Sequence, residues 1–142
     1  MDPLSITAGV IAVGTLTVQV SKALSHLRNV SRGLPDRLHA LSNEVTDLSA
    51  IVQDVEVMLN DPAFKVAPAE LTSISTTLSS LRSKLIELKE ILHNLSKACE
   101  PTRSPINKAR QWSKFQNKLQ RLQEEIKTHK SHLSIALSTS NS

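Results

Sequence analysis

Few residues in this chain have the type and spacing to do chemistry. Glu125, His129 and His132 stand at steps of four and three, so a helix carries all three on one side. Carboxylate and imidazole groups are zinc ligands, but ligands drawn from one helix need another from elsewhere. The His-Glu-x-x-His order of a zinc hydrolase is missing. The trio reads as a solvent-facing cluster, and no metal site is expected. Cys99 is the single cysteine, so it closes no intrachain disulfide and makes no zinc site alone. Two residues from Lys97 it resembles a mildly activated thiol, although such a residue more often fills a helix end. Serines are abundant, yet none lies in an elbow motif or an identifiable triad. Three glycines are too few and too scattered for phosphate loops or dinucleotide fingerprints. The chain is read as a non-enzyme, with no catalytic residue, cofactor or small-molecule substrate.

A second chemistry is electrostatic. Arg110, Lys114, Lys118 and Arg121 recur at steps of 4, 4 and 3, which is one face of a helix. Such a row attracts an anionic surface, lipid headgroups or a nucleic-acid backbone. The competing reading is a solvated face partly balanced by the acidic second helical segment, residues 34–61. Nucleic acid is the poorer target, because one Trp and two Phe offer little to stack on bases and no base-reading motif occurs. Charge is uneven along the chain: residues 1–33 carry +2, 34–61 carry −5, 62–100 carry +1 and 101–142 carry +6, within a total of +4.

The elements that position these groups follow from hydrophobic period and proline punctuation. At 142 residues the chain fits one domain, and its shortage of Gly and aromatic residues disfavours an all-β fold. Leu38, Leu41, Val45, Leu48, Val52, Val55 and Leu59 alternate steps of 3 and 4 until Asn60-Asp61-Pro62 halts them. Leu71, Ile74, Leu78, Leu81, Leu85, Leu88, Leu92 and Leu95 do the same before Glu100-Pro101. A last segment opens on Ser104-Pro105, a serine cap with proline in the first turn. It carries Ile106, Ala109, Trp112, Phe115, Leu119, Leu122, Ile126, Leu133 and Leu137. Trp112 is its expected core anchor. A continuous coiled coil has the same spacing, but prolines interrupt it about every thirty residues.

The first segment differs. After the cap-like Asp2-Pro3, nineteen residues from Pro3 to Ser21 contain no charge. One helical stripe is Leu4, Ala8, Ile11 and Val18; another is Ile6, Val10, Val13, Val20, Leu24 and Leu27. A helix apolar over most of its circumference suits a central core position or a membrane span. At about 1.5 Å per residue it reaches roughly 28 Å, near the thickness of bilayer hydrocarbon. Six polar residues, with Gly9 and Gly14, make it a borderline span. Thr15 to Val20 alternates polar and β-branched or apolar residues like a strand, but its apolar surroundings favour the helix. Asp2 in place of basic residues argues against a secretory signal, and so against use of the Asn29 and Asn94 glycosylation patterns.

Met1-Asp2-Pro3-Leu4-Ser5-Ile6-Thr7-Ala8-Gly9-Val10-Ile11-Ala12-Val13, continued by Val18-Gln19-Val20-Ser21-Lys22-Ala23-Leu24, resembles the opening of fungal N-terminal domains found on STAND (NLR-like) proteins. It is most similar to the azaphilone pigment cluster protein L N-terminal domain, allied to the HeLo-like domains. The resemblance covers roughly the first thirty residues, and the later helical run with its proline break is similar too. It implies a helical bundle that, in larger relatives, precedes a nucleotide-binding oligomerisation domain and repeat sensors. Some HeLo-like members are cell-death effectors whose freed N-terminal helix inserts in the plasma membrane. Carried onto this chain, the inserting element is Pro3 to about Ala23. No nucleotide-binding or repeat region follows within 142 residues, which leaves a stand-alone member or a piece of a longer protein and the trigger open.

The expected fold is all-α, an up-and-down antiparallel bundle of four long helices over about residues 3–31, 36–60, 68–98 and 105–137. Residues 138–142 should fray, and the first helix should be the most enclosed. Membrane insertion or helix packing falls to Leu4, Ile6, Ala8, Gly9, Val10, Ile11, Ala12, Val13, Gly14, Leu16, Val18 and Val20. Small residues in Ser5-x-x-x-Gly9 and Ala8-x-x-x-Ala12 permit close helix association. Contact with an anionic membrane surface falls to Arg110, Lys114, Lys118 and Arg121. Two functions fit: a cytoplasmic signalling effector that oligomerises, moves to the plasma membrane and perturbs it, or a soluble adaptor that binds partner helices. Protein partners or self-association belong to both, and nucleic acid to neither.

Overall fold

A computed structural model describes residues 3–30, 35–63, 67–99 and 105–140. The described residues form four helices: α1 (Pro3–Val30), α2 (Pro35–Asn60), α3 (Pro68–Ala98) and α4 (Pro105–Ser140). Each opens on proline, where a missing amide hydrogen costs nothing because first-turn amides have no intrahelical acceptor. The proposed caps Asp2 and Ser104 lie outside the described residues. After α2 the chain turns at Asp61, whose Oδ1 accepts from the Ala63 amide at 3.0 Å. α4 continues to Ser140, through residues expected to fray, because Ala136 and Leu137 still pack on the core.

The stripes read from the 3–4 spacing form one apolar core. Leu41, Val45 and Leu48 of α2, Leu81, Leu85 and Leu88 of α3, and Leu119, Leu122 and Ile126 of α4 are fully buried. Two ends of the expected stripes differ. Met58 rather than Leu59 is buried in α2, and Ile106 and Ala109 of α4 face solvent. Ion pairs Lys84–Glu125 and Glu87–Arg121 set the α3–α4 register. Extended along the pair, that register brings Ala98 level with about residue 110, so the first turn of α4 projects past α3.

Helix pairs α1·α2, α1·α3, α3·α4 and α2·α4 pack together, leaving α1 diagonal to α4 and α2 diagonal to α3. Directions follow from cross-helix neighbours. Gly9 lies beside Leu78 and Gln19 beside Lys89, so α1 and α3 run parallel. Lys84–Glu125 and Glu87–Arg121 make α3 and α4 antiparallel. Glu44 meets Lys130, while Asp54 and Met58 share a groove with Ser134 and Leu137, so α2 and α4 are parallel. The chain therefore alternates in direction, but the α2–α3 link crosses the diagonal rather than joining neighbours. A diagonal of about 14 Å is well within the reach of seven residues at roughly 3.3 Å each.

In a four-cornered bundle no helix is central, and α1 is not the most enclosed. Its buried stripe is Ile6, Val10, Val13, Thr17, Val20, Leu24 and Leu27. Ala8, Ile11, Thr15 and Val18 line the outer face, with Ile11 57% and Val18 51% exposed. The strand-like Thr15–Val20 run is helical because Thr17 and Val20 continue the buried 3–4 stripe of Val13 and Leu24, and its hydroxyls are satisfied by bonding back into the helix. Thr15 Oγ1 donates to the Ile11 carbonyl at 2.9 Å and Thr17 Oγ1 to the Gly14 carbonyl at 2.7 Å.

Candidate functional site

α1 divides the residues proposed for insertion or packing between two faces. Ile6, Val10, Val13 and Val20 enter the core, and Leu16 packs half-buried against it. Ala8, Ile11 and Val18 face outward, while Gly9, Ala12 and Gly14 are half-buried. The side chain of Leu4 lies outside the described residues. A Cβ built on Gly9 would meet Leu78 at 3.7 Å, ordinary contact, and one on Gly14 would meet nothing within 4 Å. A groove of about 280 Å³ runs beside Gly9 between α1 and α3, lined by Ser5, Ala8, Ala12, Ser75 and Ser79 among others. The small residues thus leave room along this seam in the bundle.

By length and composition, Ser5–Asn29 is long and apolar enough to cross a membrane, and 28% of its most apolar window is buried. The side chains it buries in the bundle are apolar apart from Thr17. Lys89 Nζ donates to Gln19 Oε1 at 2.9 Å across the α1–α3 seam. Among the described residues, no ion pair joins α1 to a neighbour.

The other seams are clasped by charge. Lys130 Nζ reaches Glu44 Oε2 at 2.7 Å and Asp47 Oδ2 at 3.4 Å, tying α4 to α2. Burial alone would lower the Lys130 pKa, but the hydrogen bond and charge of Glu44, then those of Asp47, outweigh it and raise it. Lys84 meets Glu125 at 2.8 Å and Arg121 meets Glu87 at 3.1 Å, tying α3 to α4. Glu125, expected to face solvent, is half-buried in this seam, also 3.7 Å from Arg121. His129 is half-buried below it, and its Nδ1 has no hydrogen-bond partner. Desolvation, then the neighbouring His132, lowers its pKa; Glu125 raises it and Lys84 lowers it further. Among the described residues no three metal-ligating side chains gather. Cys99 is buried at the C-cap of α3, its amide donating to the Leu95 carbonyl at 3.0 Å. Trp112 is half-buried against the core.

Alternating directions gather the C-terminal ends of α1 and α3 with the N-terminal ends of α2 and α4. To this upper end belong Lys22 and Arg28 of α1, Arg37 of α2, Lys89 and Lys97 of α3, and Arg110, Lys114 and Lys118 of α4. All are exposed except the half-buried Arg37. Lys114 Nζ also lies 5.4 Å from the Phe115 ring centroid. Glu90 opposes them, and Glu87, about a turn lower, is taken by Arg121. Asp36 and Lys108 stand in the first turns of α2 and α4. Towards the lower end stand the acids Asp54, Glu56, Asp61 and Glu70; the nearest described bases are Lys127, Lys130, which Glu44 and Asp47 hold, and Arg82 beside the opening of α1.

Residues 1–141 match the family model described as pigment biosynthesis cluster protein PigL, N-terminal. The chain belongs to the PigL N-terminal family. That match extends the resemblance of the opening thirty residues to nearly the whole chain. No curated protein and no solved structure matches it. Within this PigL N-terminal domain, the four basic residues singled out on α4 are exposed on one helix, as their spacing required. Arg121 is separated from the other three by its ion pairs. Of the acids of α2 that were expected to balance this row, Glu44 and Asp47 serve Lys130 instead. Reasoning from single segments missed Arg28, Arg37 and Lys97. The signal was available in the alternation of helix directions, which brings opposite termini together.

Proposed function

We propose that this PigL N-terminal domain is a non-enzymatic signalling module of a fungal NLR-like (STAND) system. Its effector element is α1, which leaves its corner after oligomerisation and perturbs a membrane. One observation carries this reading: α1 has an apolar outer face, and no described ion pair ties it to the bundle. Burial of each large side chain of the inner stripe is worth about 1.5–3 kcal/mol against water. A bilayer keeps those side chains out of water equally well, so transfer from core to lipid sacrifices little of that energy. The Thr15 and Thr17 hydroxyls carry their acceptors with them in the helix backbone. The stripes of α2 and α3 left behind need new cover, which couples release to assembly. On this reading the domain is cytoplasmic until it moves to the plasma membrane.

A tether tests it. The Cβ positions of residues 9 and 78 are 3.8 Å apart, a spacing suited to a disulfide. Gly9→Cys with Leu78→Cys, in a Cys99→Ala background, locks α1 to α3 when oxidised. Dye should leak from phosphatidylserine-containing vesicles only after reduction. Equal leakage from both forms, or none from either while the unaltered protein leaks nothing, overturns the effector reading. The second reading, a soluble adaptor, draws on the same exposed Ile11 and Val18, which suit a partner helix as well as lipid. It is favoured if vesicles are never engaged.

A further inference from the structure

We propose that the domain meets an anionic membrane end-on, through the basic upper end of the bundle rather than through one face of α4. The apolar opening of α1 is then held at the far end. The proposal rests on the membrane reading for its target and adds the surface, the orientation and the order of events. Its basis is tertiary. Arg28, Arg37, Lys97, Arg110, Lys114 and Lys118 come from four helices and share one end only because successive helices reverse direction. Glu90 is the described acidic side chain that opposes them there, whereas Asp54, Glu56, Asp61 and Glu70 gather at the other end, where the nearest described bases are Lys127, Arg82 and Lys130, the last already held by Glu44 and Asp47.

Each base near an anionic leaflet strengthens binding about fivefold, and the field falls off within a Debye length of roughly 8–10 Å. α3 spans 31 residues, which at about 1.5 Å each separates the two ends by roughly 45 Å. A surface touching the upper end is therefore unfelt at the lower one, while a surface approaching the lower end is repelled. The axis stands upright. α1 begins at the acidic end, so Ile6 and Ile11 are far from the bilayer in the docked domain. Docking and insertion are separate steps, and the first needs no change in the bundle. A nucleic-acid backbone would be drawn by the same charges. The bases cap a bundle end instead of lining a groove, and the same chain holds a helix long and apolar enough to span lipid.

Charge reversal and orientation test the proposal. Lys97→Glu with Lys114→Glu and Lys118→Glu should lower affinity for phosphatidylserine vesicles at least about a hundredfold, at unchanged helicity and melting temperature. Asp54→Asn with Glu56→Gln at the lower end should leave it within about twofold. In a Cys99→Ala background, a fluorophore on Asn94→Cys should transfer energy strongly to headgroup acceptors, and one on Ala69→Cys weakly. Equal transfer from both sites, or undiminished vesicle binding by the triple variant, overturns end-on docking. So does tighter binding to duplex DNA than to vesicles at the same salt, or loss of self-association alone in the triple variant. The oxidised Gly9–Leu78 tether separates the two readings. If it binds vesicles end-on but its reduced form never leaks, docking stands and insertion falls; if leakage survives charge reversal, docking falls and insertion stands.

Discussion

α1 and α3 lie side by side and run parallel, and each buries one stripe at 3–4 spacing, yet they are held in different ways. The α3 stripe is mostly leucine, with Leu81, Leu85, Leu88 and Leu92 at 0% exposure, and its back carries Arg82, Lys84, Glu87, Lys89 and Glu90. The α1 stripe is mostly valine and isoleucine as far as Val20, with Thr17 set among them, and its back carries Ala8, Ile11, Thr15 and Val18. Water holds the back of α3 outward while ion pairs fix its register. On the first five turns of α1 no described ion pair acts, and the Gln19–Lys89 hydrogen bond is uncharged on the α1 side. The same periodicity therefore yields one helix committed to its place and another that asks only for apolar surroundings.

Truncations probe that contrast most strongly. Leu85→Ala should cost about 2–5 kcal/mol in denaturant unfolding, and Val13→Ala about 2 kcal/mol or less, since it removes fewer buried atoms. Equal costs would mean that α1 is gripped as firmly as α3. Next, Lys130→Met should cost about 1–3 kcal/mol by leaving Glu44 unpaired beside the core, while Lys89→Met, which frees α1 of its bond through Gln19, should stay within about 0.5 kcal/mol. Comparable losses would show that polar contacts hold α1 after all. Gly14→Ala, at a position with open space around it, should stabilise by about 1 kcal/mol or less; a destabilised protein would mean that Gly14 is needed as it stands.

Acidification sharpens the comparison further, because its effect sits in the α3–α4 seam. The His129 pKa is lower in the folded protein than the usual 6.5, so the unfolded chain takes up a proton first as pH falls. This group's contribution is complete above about 6.5 and is lost as pH drops through the folded value. Melting temperature should therefore decline below pH 6.5, and His129→Gln should flatten that part of the profile. The smallest effect on stability is expected from Ile11→Ser with Val18→Ser, within about 0.5 kcal/mol at an exposed face. Vesicle leakage should nevertheless fall, and unchanged leakage would remove the outer face of α1 from the mechanism.

Much of the bundle was legible in residue spacing. Steps of 3 and 4 placed Leu41, Leu85 and Leu122 in the core, and Pro3, Pro35, Pro68 and Pro105 marked where helices begin. Which stripe of α1 turns inward was not legible, since Leu4–Val18 and Ile6–Leu27 are both apolar and only the neighbours decide between them. The diagonal α2–α3 connection was hidden for a related reason: seven residues reach a neighbour or an opposite corner equally well. Glu125 looked like a solvated residue because its partner Lys84 is forty-one positions away. The basic end escaped any single-segment reading, as its members meet only after four helices have taken their directions.

The diagonal crossing also bears on the order of folding. α1 with α2, and α3 with α4, are hairpins between sequence neighbours, whereas the α1–α3 seam joins residues such as Gln19 and Lys89, seventy apart. Loop-closure entropy makes such distant contacts slow to nucleate, and across the α2–α4 seam Glu44 and Lys130 are 86 apart, so we expect the two hairpins to dock last along both seams, which pulse-labelled hydrogen exchange would reveal as late amide protection on their docking faces. Early protection there would refute it. A junction completed last is also the natural first point of breathing in the native state.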